Sequence, residues 1–149
     1  VVDDAGPPDD SAVLARVKGI SLLRNPVNLG FICACNAASR TARGQYLLFL
    51  NNDTQVLEGW LDTMLIPFRT GKNVGAVGSM LLYPDGRLQE AGCIIWSDGS
   101  GWNYGRNEDA TLPVYNYRRE ADYCSGASLL IPRGIFEKLG RFDIGYSPA

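Results

Sequence analysis

Five consecutive apolar residues, Tyr46-Leu47-Leu48-Phe49-Leu50, stand between Gly44-Gln45 and Asn51-Asn52-Asp53. A short, continuous apolar run bounded by turn formers is the pattern of a central parallel strand covered on both faces. The segments around this run read as its covering helices. Upstream, Phe31, Cys35, Ala38 and Ala42 fall on one helical face, and Gly44 stops the pattern where a C-terminal glycine belongs. Downstream, Leu57, Leu61, Met64, Leu65 and Phe68 mark a second amphipathic helix.

The same alternation extends to both sides. Val1-Val2 ends a strand, Asp9 and Asp10 provide an acidic start for a helix over Ser11–Val17, and Ile20–Arg24 reads as the next strand. Val74–Leu82 supplies a further strand. The order βαβαβα predicts an α/β fold: an open, mostly parallel sheet with helices on both faces. Beyond Tyr83 the chain turns irregular and β-rich, with Pro84-Asp85-Gly86 as a turn and glycines and tryptophans crowded between Gly92 and Gly105. Tyr123–Ile131 returns to a buried apolar run, broken by Ser125-Gly126, and a short helix is expected over Pro132–Leu139. The reading is a single domain over 1–149, with a βα half at 1–82 and an irregular half at 83–149.

With 14 basic against 16 acidic residues, the formal charge of −2 disfavours a nucleic-acid binder or a polybasic membrane-surface protein, and points to a small-molecule partner. No apolar run approaches the roughly 18 to 20 residues of a membrane span. Val1-Val2-Asp3-Asp4 is not the charged head of a signal peptide; it reads as the end of a strand that begins upstream, so a chain cut short is expected. Four cysteines occur without histidine, and the C-x-C spacing of Cys33 and Cys35 is poor for zinc. They are expected as free core thiols in a reducing, cytoplasmic setting.

Ligands of open α/β sheets bind at the carboxyl ends of strands. Asp3 and Asp4 follow the first strand, and Asn51, Asn52 and Asp53 follow the central one. Asn51-x-Asp53 offers hard oxygen ligands suited to one face of a Mg²⁺ or Mn²⁺ ion whose other positions go to water and phosphate. The competing reading of Asn51 to Thr54 is a turn that caps the next helix. Asp3 and Asp4 equally suit backbone turns. Trp96, Trp102 and Tyr104 have the chemistry to stack on a sugar ring, but packing of a Gly-rich loop is the favoured expectation. Arg40, Arg43, Arg118 and Arg119 are expected as exposed cations.

The string VVDDAGPPDDS resembles the V-V-D-D-x-S-x-D-x-S opening of family 2 glycosyltransferases. In order after it, NPVNLGFICACNAASRTARGQYLLFLNNDT and GWLDTML look like the family's N-x-G, helix Asn, A-x-G-x-Y and D-x-D-like elements. VGAVGSMLLYPDGRLQEAG, YCSGASLLIPR and LGRFDIGYSPA look like its later landmarks. The resemblance covers essentially the whole chain and implies a GT-A fold. By it, Asp3 or Asp4 contacts the base of a nucleotide-diphosphate sugar, with UDP and dTDP as expected donors. Asn36 lies near the nucleotide, and Asn51 and Asp53 take the ribose and metal positions. Ser125, Gly126 and Ala127 line the sugar and acceptor side. It further implies an inverting enzyme of polysaccharide or cell-surface glycan synthesis, acting on a glycan or lipid-linked acceptor. The general base is expected in an acidic pair just after Ala149. Two rival readings are a binding module that holds a nucleotide sugar without turnover, and a phosphoacceptor receiver domain. The latter lacks its later lysine, since none occurs between Lys72 and Lys138. An exposed sheet edge suggests pairing with a second copy of the chain.

Overall fold

A computed structural model describes residues 1–147. In chain order the elements are β1 (Val2–Asp3), α1 (Pro8–Leu14), β2 (Leu23–Arg24), α2 (Gly30–Thr41), β3 (Tyr46–Leu50), α3 (Trp60–Thr70), β4 (Val77–Gly78), β5 (Leu81–Leu82), β6 (Leu88–Glu90), β7 (Cys93–Ile95), β8 (Gly101–Asn103), β9 (Ser128–Pro132), α4 (Arg133–Lys138) and a 3-10 turn at Ile144–Tyr146. This is the expected α/β chain. It divides into two compact units: Val1–Leu47 with the segment from Pro132 onward, and Leu48–Ile131.

In the first unit β1 and β2 run parallel, pairing Val2 with Leu23 and Asp3 with Arg24. Helix α1 begins three residues before the expected Ser11. Pro8 takes the first helical position, where its missing N–H costs nothing, and Asp9 and Asp10 then lie inside the first turn against the positive end of the helix. Helix α2 matches its expected span, but its phase differs. Ile32, Ala34 and Ser39 are the buried positions, while Phe31 is exposed and Cys35, Ala38 and Ala42 are half-buried. The helix is so rich in small residues that apolar spacing alone does not fix its phase. Phe142 anchors the segment after α4, 5.0 Å edge-on to Phe136 and 6.0 Å from Phe31 between ring centroids.

A three-stranded sheet has the order β3-β9-β4. β4 is antiparallel to β9, with Val77 opposite Leu130 and Gly78 opposite Leu129. Ser128 to Ile131 are all buried, whereas β3 buries only Leu47 and Phe49 deeply. The predicted strand over Val74–Leu82 is divided. Its second part, β5, leaves the sheet to pair with β6 across the Pro84-Asp85-Gly86 turn, with a register irregularity at Leu81/Leu82. A satellite core of Leu88, Ala91 and Ala110, packed by Tyr104 and Tyr115, holds the irregular half together. It closes around Gly105, whose φ of +76° and lack of a side chain are both required: a Cβ there would stand 2.4 Å from Leu88 Cδ2.

All four cysteines are free. Burial pushes the Cys35 and Cys93 thiols up to about 11, which keeps them protonated and unreactive at neutral pH. Alkylation of the half-buried Cys35 thiol in the folded chain is therefore expected to accelerate about tenfold per pH unit up to pH 10. A rate levelling off near pH 9, measured by mass spectrometry of the labelled cysteine, would contradict this.

Candidate functional site

The first unit carries Asp3, Asp4 and Asn36. Asp3, 6% exposed, ends β1, and its carboxylate accepts hydrogen bonds from Gly6 N at 2.8 Å, the Ser11 hydroxyl and Arg24 Nη1 at 3.0 Å. The Ser11 and Gly6 bonds, with the Arg24 charge, outweigh burial and hold its pKa below the usual carboxylate range. Asp4 faces another set of donors. Its oxygens accept from Asn25 Nδ2 at 2.6 Å, from Leu29 N at 3.0 and 3.1 Å and from Gly30 N at 2.8 Å. Burial pushes this carboxyl up, but the bonds from Asn25, Leu29 and Gly30 prevail and its pKa is lowered.

Leu29 and Gly30 are the N-cap and first residue of α2. Asp4 is thus a helix cap delivered from 25 residues upstream, satisfying Leu29 N and sharing Gly30 N with Asn28 Oδ1, 3.0 Å away. Ala5, directly after it, has a φ of +62°, a left-handed conformation that costs a non-glycine residue energy. The turn after β1 therefore holds two consecutive carboxylates directed to two different sets of donors.

Asn36, expected near a nucleotide, has its amide on the backbone of Phe142. Nδ2 donates to Phe142 O at 2.8 Å, and Oδ1 accepts from Phe142 N at 3.1 Å. One amide hydrogen and one lone pair remain for a ligand.

The second unit gathers Asn51, Asp53 and the Ser125–Ala127 turn. Asn51 N donates to Ala127 O at 3.0 Å, so the turn after β3 and the turn before β9 are fastened to each other. Thr54 closes the first turn, with its hydroxyl donating to Asn51 O at 2.6 Å. Ser125 Oγ accepts from Ala127 N at 3.2 Å and tightens the second. Beneath it lies Glu90, 3% exposed, whose Oε1 accepts from Ser125 N at 3.2 Å. Asp53 is exposed, and among the described residues no side-chain hydrogen bond or ion pair engages it.

These donors fit a hard divalent cation held mainly by phosphate and water. One unengaged carboxylate and one amide oxygen are available, and among the described residues no group of three His, Cys, Asp or Glu forms a self-sufficient metal cage. Glu90, Ser11, Arg24 and Asn25 were not singled out by the sequence reading. Ser11 had a signal, as the last residue of the opening motif; the others are recognisable only from their partners.

No helix among the described residues is long and apolar enough to cross a membrane. The family model described as Glycosyl transferase family 2 matches residues 1–140. Among curated proteins, the chain is 35% identical over 114 residues to the O-antigen biosynthesis protein RfbC of Myxococcus xanthus, covering 72% of this chain and 9% of that protein. It is 30% identical over 136 residues to a putative polypeptide N-acetylgalactosaminyltransferase 13 of Drosophila melanogaster, covering 84% of this chain and 23% of that protein. The chain thus spans less than a quarter of the length of either relative. Among solved structures, it is similar to a mannosyltransferase of Pyrobaculum calidifontis in complex with GDP-Man and Mn²⁺. The TM-score is 0.63 at 18% identity, covering 96% of this chain and 37% of that one.

Proposed function

The chain belongs to glycosyl transferase family 2 and has the GT-A fold, and from that premise we propose that it is the donor-binding part of an enzyme that moves a sugar from a nucleoside diphosphate to an acceptor hydroxyl in surface-glycan synthesis. The observation that carries this reading is Asp53. It is a carboxylate without a protein partner, on a turn fixed through Asn51 N to the Ser125–Ala127 turn. By contrast, the carboxylates of Asp3, Asp4, Asp85, Asp98 and Asp109 all accept hydrogen bonds from the protein.

Asp53 and Asn51 are the residues that would hold a Mg²⁺ or Mn²⁺ ion. Such an ion supplies charge neutralisation to a departing diphosphate. The Ser125-Gly126-Ala127 turn presents backbone and a single hydroxyl, and the small side chains let a sugar approach closely. Glu90 keeps that turn in place from below. Asp3 and Asp4 order the turn after β1 assigned to the base, and Asn36 keeps Phe142 against α2. Reaction with inversion requires the acceptor oxygen to form its bond to the anomeric carbon as the bond to the diphosphate oxygen breaks, with the acceptor proton passing to a base. No residue of this chain is assigned that base.

The test is calorimetric titration of UDP, dTDP and GDP into the chain with and without Mn²⁺. GDP is included because the similar mannosyltransferase was solved with GDP-Man. One of the three is expected to bind only with metal, and Asp53→Ala is expected to weaken that binding at least roughly tenfold without changing the melting temperature. Binding that ignores both metal and Asp53→Ala, or none at all, would overturn the assignment. Metal-dependent binding without transfer to any acceptor would leave a nucleotide-sugar-binding module.

A further inference from the structure

The β7–β8 hairpin presents two tryptophans to solvent on one face. Its register pairs Cys93 with Asn103, Ile94 with Trp102 and Ile95 with Gly101. The ladder continues past β7, since Trp96 N donates to Ser100 O at 2.8 Å. Alternation along both strands therefore assigns Cys93, Ile95, Gly101 and Asn103 to one face and Ile94, Trp96, Ser100 and Trp102 to the other. The first face is inward at its Cys93 end, where Cys93 is fully buried and its thiol lies 3.6 Å from Asn103 Oδ1, and opens toward the tip, where Ile95 is half exposed. The second is outward, with Trp96 51% and Trp102 61% exposed. The expected packing role belongs only to Tyr104, which stands edge-on to Tyr115 at 5.2 Å with the Arg119 guanidinium 3.9 Å over its ring.

The hairpin is rigidly held. On the other edge of β7, Cys93 N donates to Tyr123 O, Asp122 N donates to Cys93 O, and the Asp122 carboxylate accepts from Ile95 N at 2.9 Å. Beneath it, a Cβ on Gly101 would lie 2.9 Å from the Tyr123 hydroxyl, so the missing side chain lets Tyr123 underlie the strand. The tip turn is closed by Asp98, whose carboxylate accepts from Ser100 N and Oγ.

Two fixed, solvent-facing indoles on diagonal positions of a ribbon lie about 7–8 Å apart at their backbones. Between Ile94 and Asn103 the only charged residue is Asp98, and the tip turn beside Trp96 in the chain supplies hydroxyl and carboxylate oxygens from Ser97, Asp98 and Ser100. Electron-rich ring faces attract the polarised C–H faces of a pyranose, and the rim suits its hydroxyls. The lack of any Lys or Arg on the hairpin disfavours an anionic lipid surface. We propose that the Trp96/Trp102 face is a stacking platform for a neutral oligosaccharide, a binding site that needs neither metal nor nucleotide.

An array of neutral glucan, mannan, chitin and bacterial surface oligosaccharides, probed with the full 149-residue chain, tests this. Tryptophan fluorescence titration with the best-bound oligosaccharide follows. Binding without Mn²⁺ or nucleotide is expected, with at least a roughly tenfold loss in Trp96→Ala and in Trp102→Ala at unchanged melting temperature. Partial recovery is expected in Trp102→Tyr. Four results would overturn the proposal: no oligosaccharide binding, binding indifferent to both tryptophans, binding instead to phosphatidylglycerol vesicles through them, or a concentration-dependent dimer that buries them. None of these bears on the donor assignment, which is read by metal-dependent nucleotide binding.

Discussion

Replacing Asp4 with alanine is expected to destabilise the chain by about 2 kcal/mol, lowering its melting temperature by several degrees. The weight falls unevenly over the donors left behind. Leu29 N is exposed enough for water to replace the carboxylate cheaply. The amide of Asn25, a buried residue, and Gly30 N at the start of α2 are less accessible, and each loses its strongest acceptor. Gly30 N retains Asn28 Oδ1 at 3.0 Å, which keeps the loss from being larger. Asp4→Asn, which keeps one acceptor oxygen, is expected to fall between wild type and alanine.

The same carboxylates set the acid limit of the fold. Both Asp3 and Asp4 titrate lower in the folded chain than an unfolded Asp near 3.9. The folded state therefore binds fewer protons than the unfolded one, and the stability they contribute is fully present above about pH 4. It is lost as pH falls through their depressed values. Urea melts from pH 5 to pH 2 should show this slope, shallower in Asp4→Ala; parallel slopes in the two proteins would disprove the assignment.

Glu90→Ala is expected to cost about 3 kcal/mol, because it both opens a cavity at a nearly inaccessible position and leaves Ser125 N without its acceptor. Its local consequence is more diagnostic. The Ser125–Ala127 turn is held by three bonds: to Glu90, within itself through Ser125 Oγ, and to Asn51 through Ala127 O. Losing the first should raise hydrogen exchange at Ser125 and Ala127 well before exchange rises at Leu129 and Leu130 in β9. Glu90→Gln keeps an oxygen for Ser125 N and should restore most protection. Uniformly faster exchange across the unit would mean that Glu90 only fills space.

Local pattern made much of this structure legible. The apolar run of β3 and the α2 span emerged directly from period and boundary residues, and the strand-end placement of Asp3, Asp4, Asn51 and Asp53 followed. What stayed hidden is non-local. Whether a strand-end Asp faces a ligand or a neighbouring loop depends on residues brought up from elsewhere, such as Ser11, Arg24 and Asn25 for Asp3 and Asp4. Nothing in the local pattern marks Glu90 as buried, and only the return of Ser125 places it under a turn. The exposure of Trp96 and Trp102 is hidden for a related reason. Which face of a hairpin is inward is set by its register and its pinning to Tyr123, neither of which composition reveals.

The chain leaves the first unit at Leu47 and returns to it at Pro132, after the whole of the second unit. The Asn36 amide must therefore wait for Phe142, 106 residues later, before its two bonds can form. At ribosomal speeds of about 5–20 residues per second, that wait is roughly 5 to 20 s. Late in this interval, once Ile131 has been made, the second unit has all of its residues while the first has only its first 47. The second unit is thus complete before the first, and α2 emerges as an amphipathic helix whose Phe142 anchor has yet to be translated.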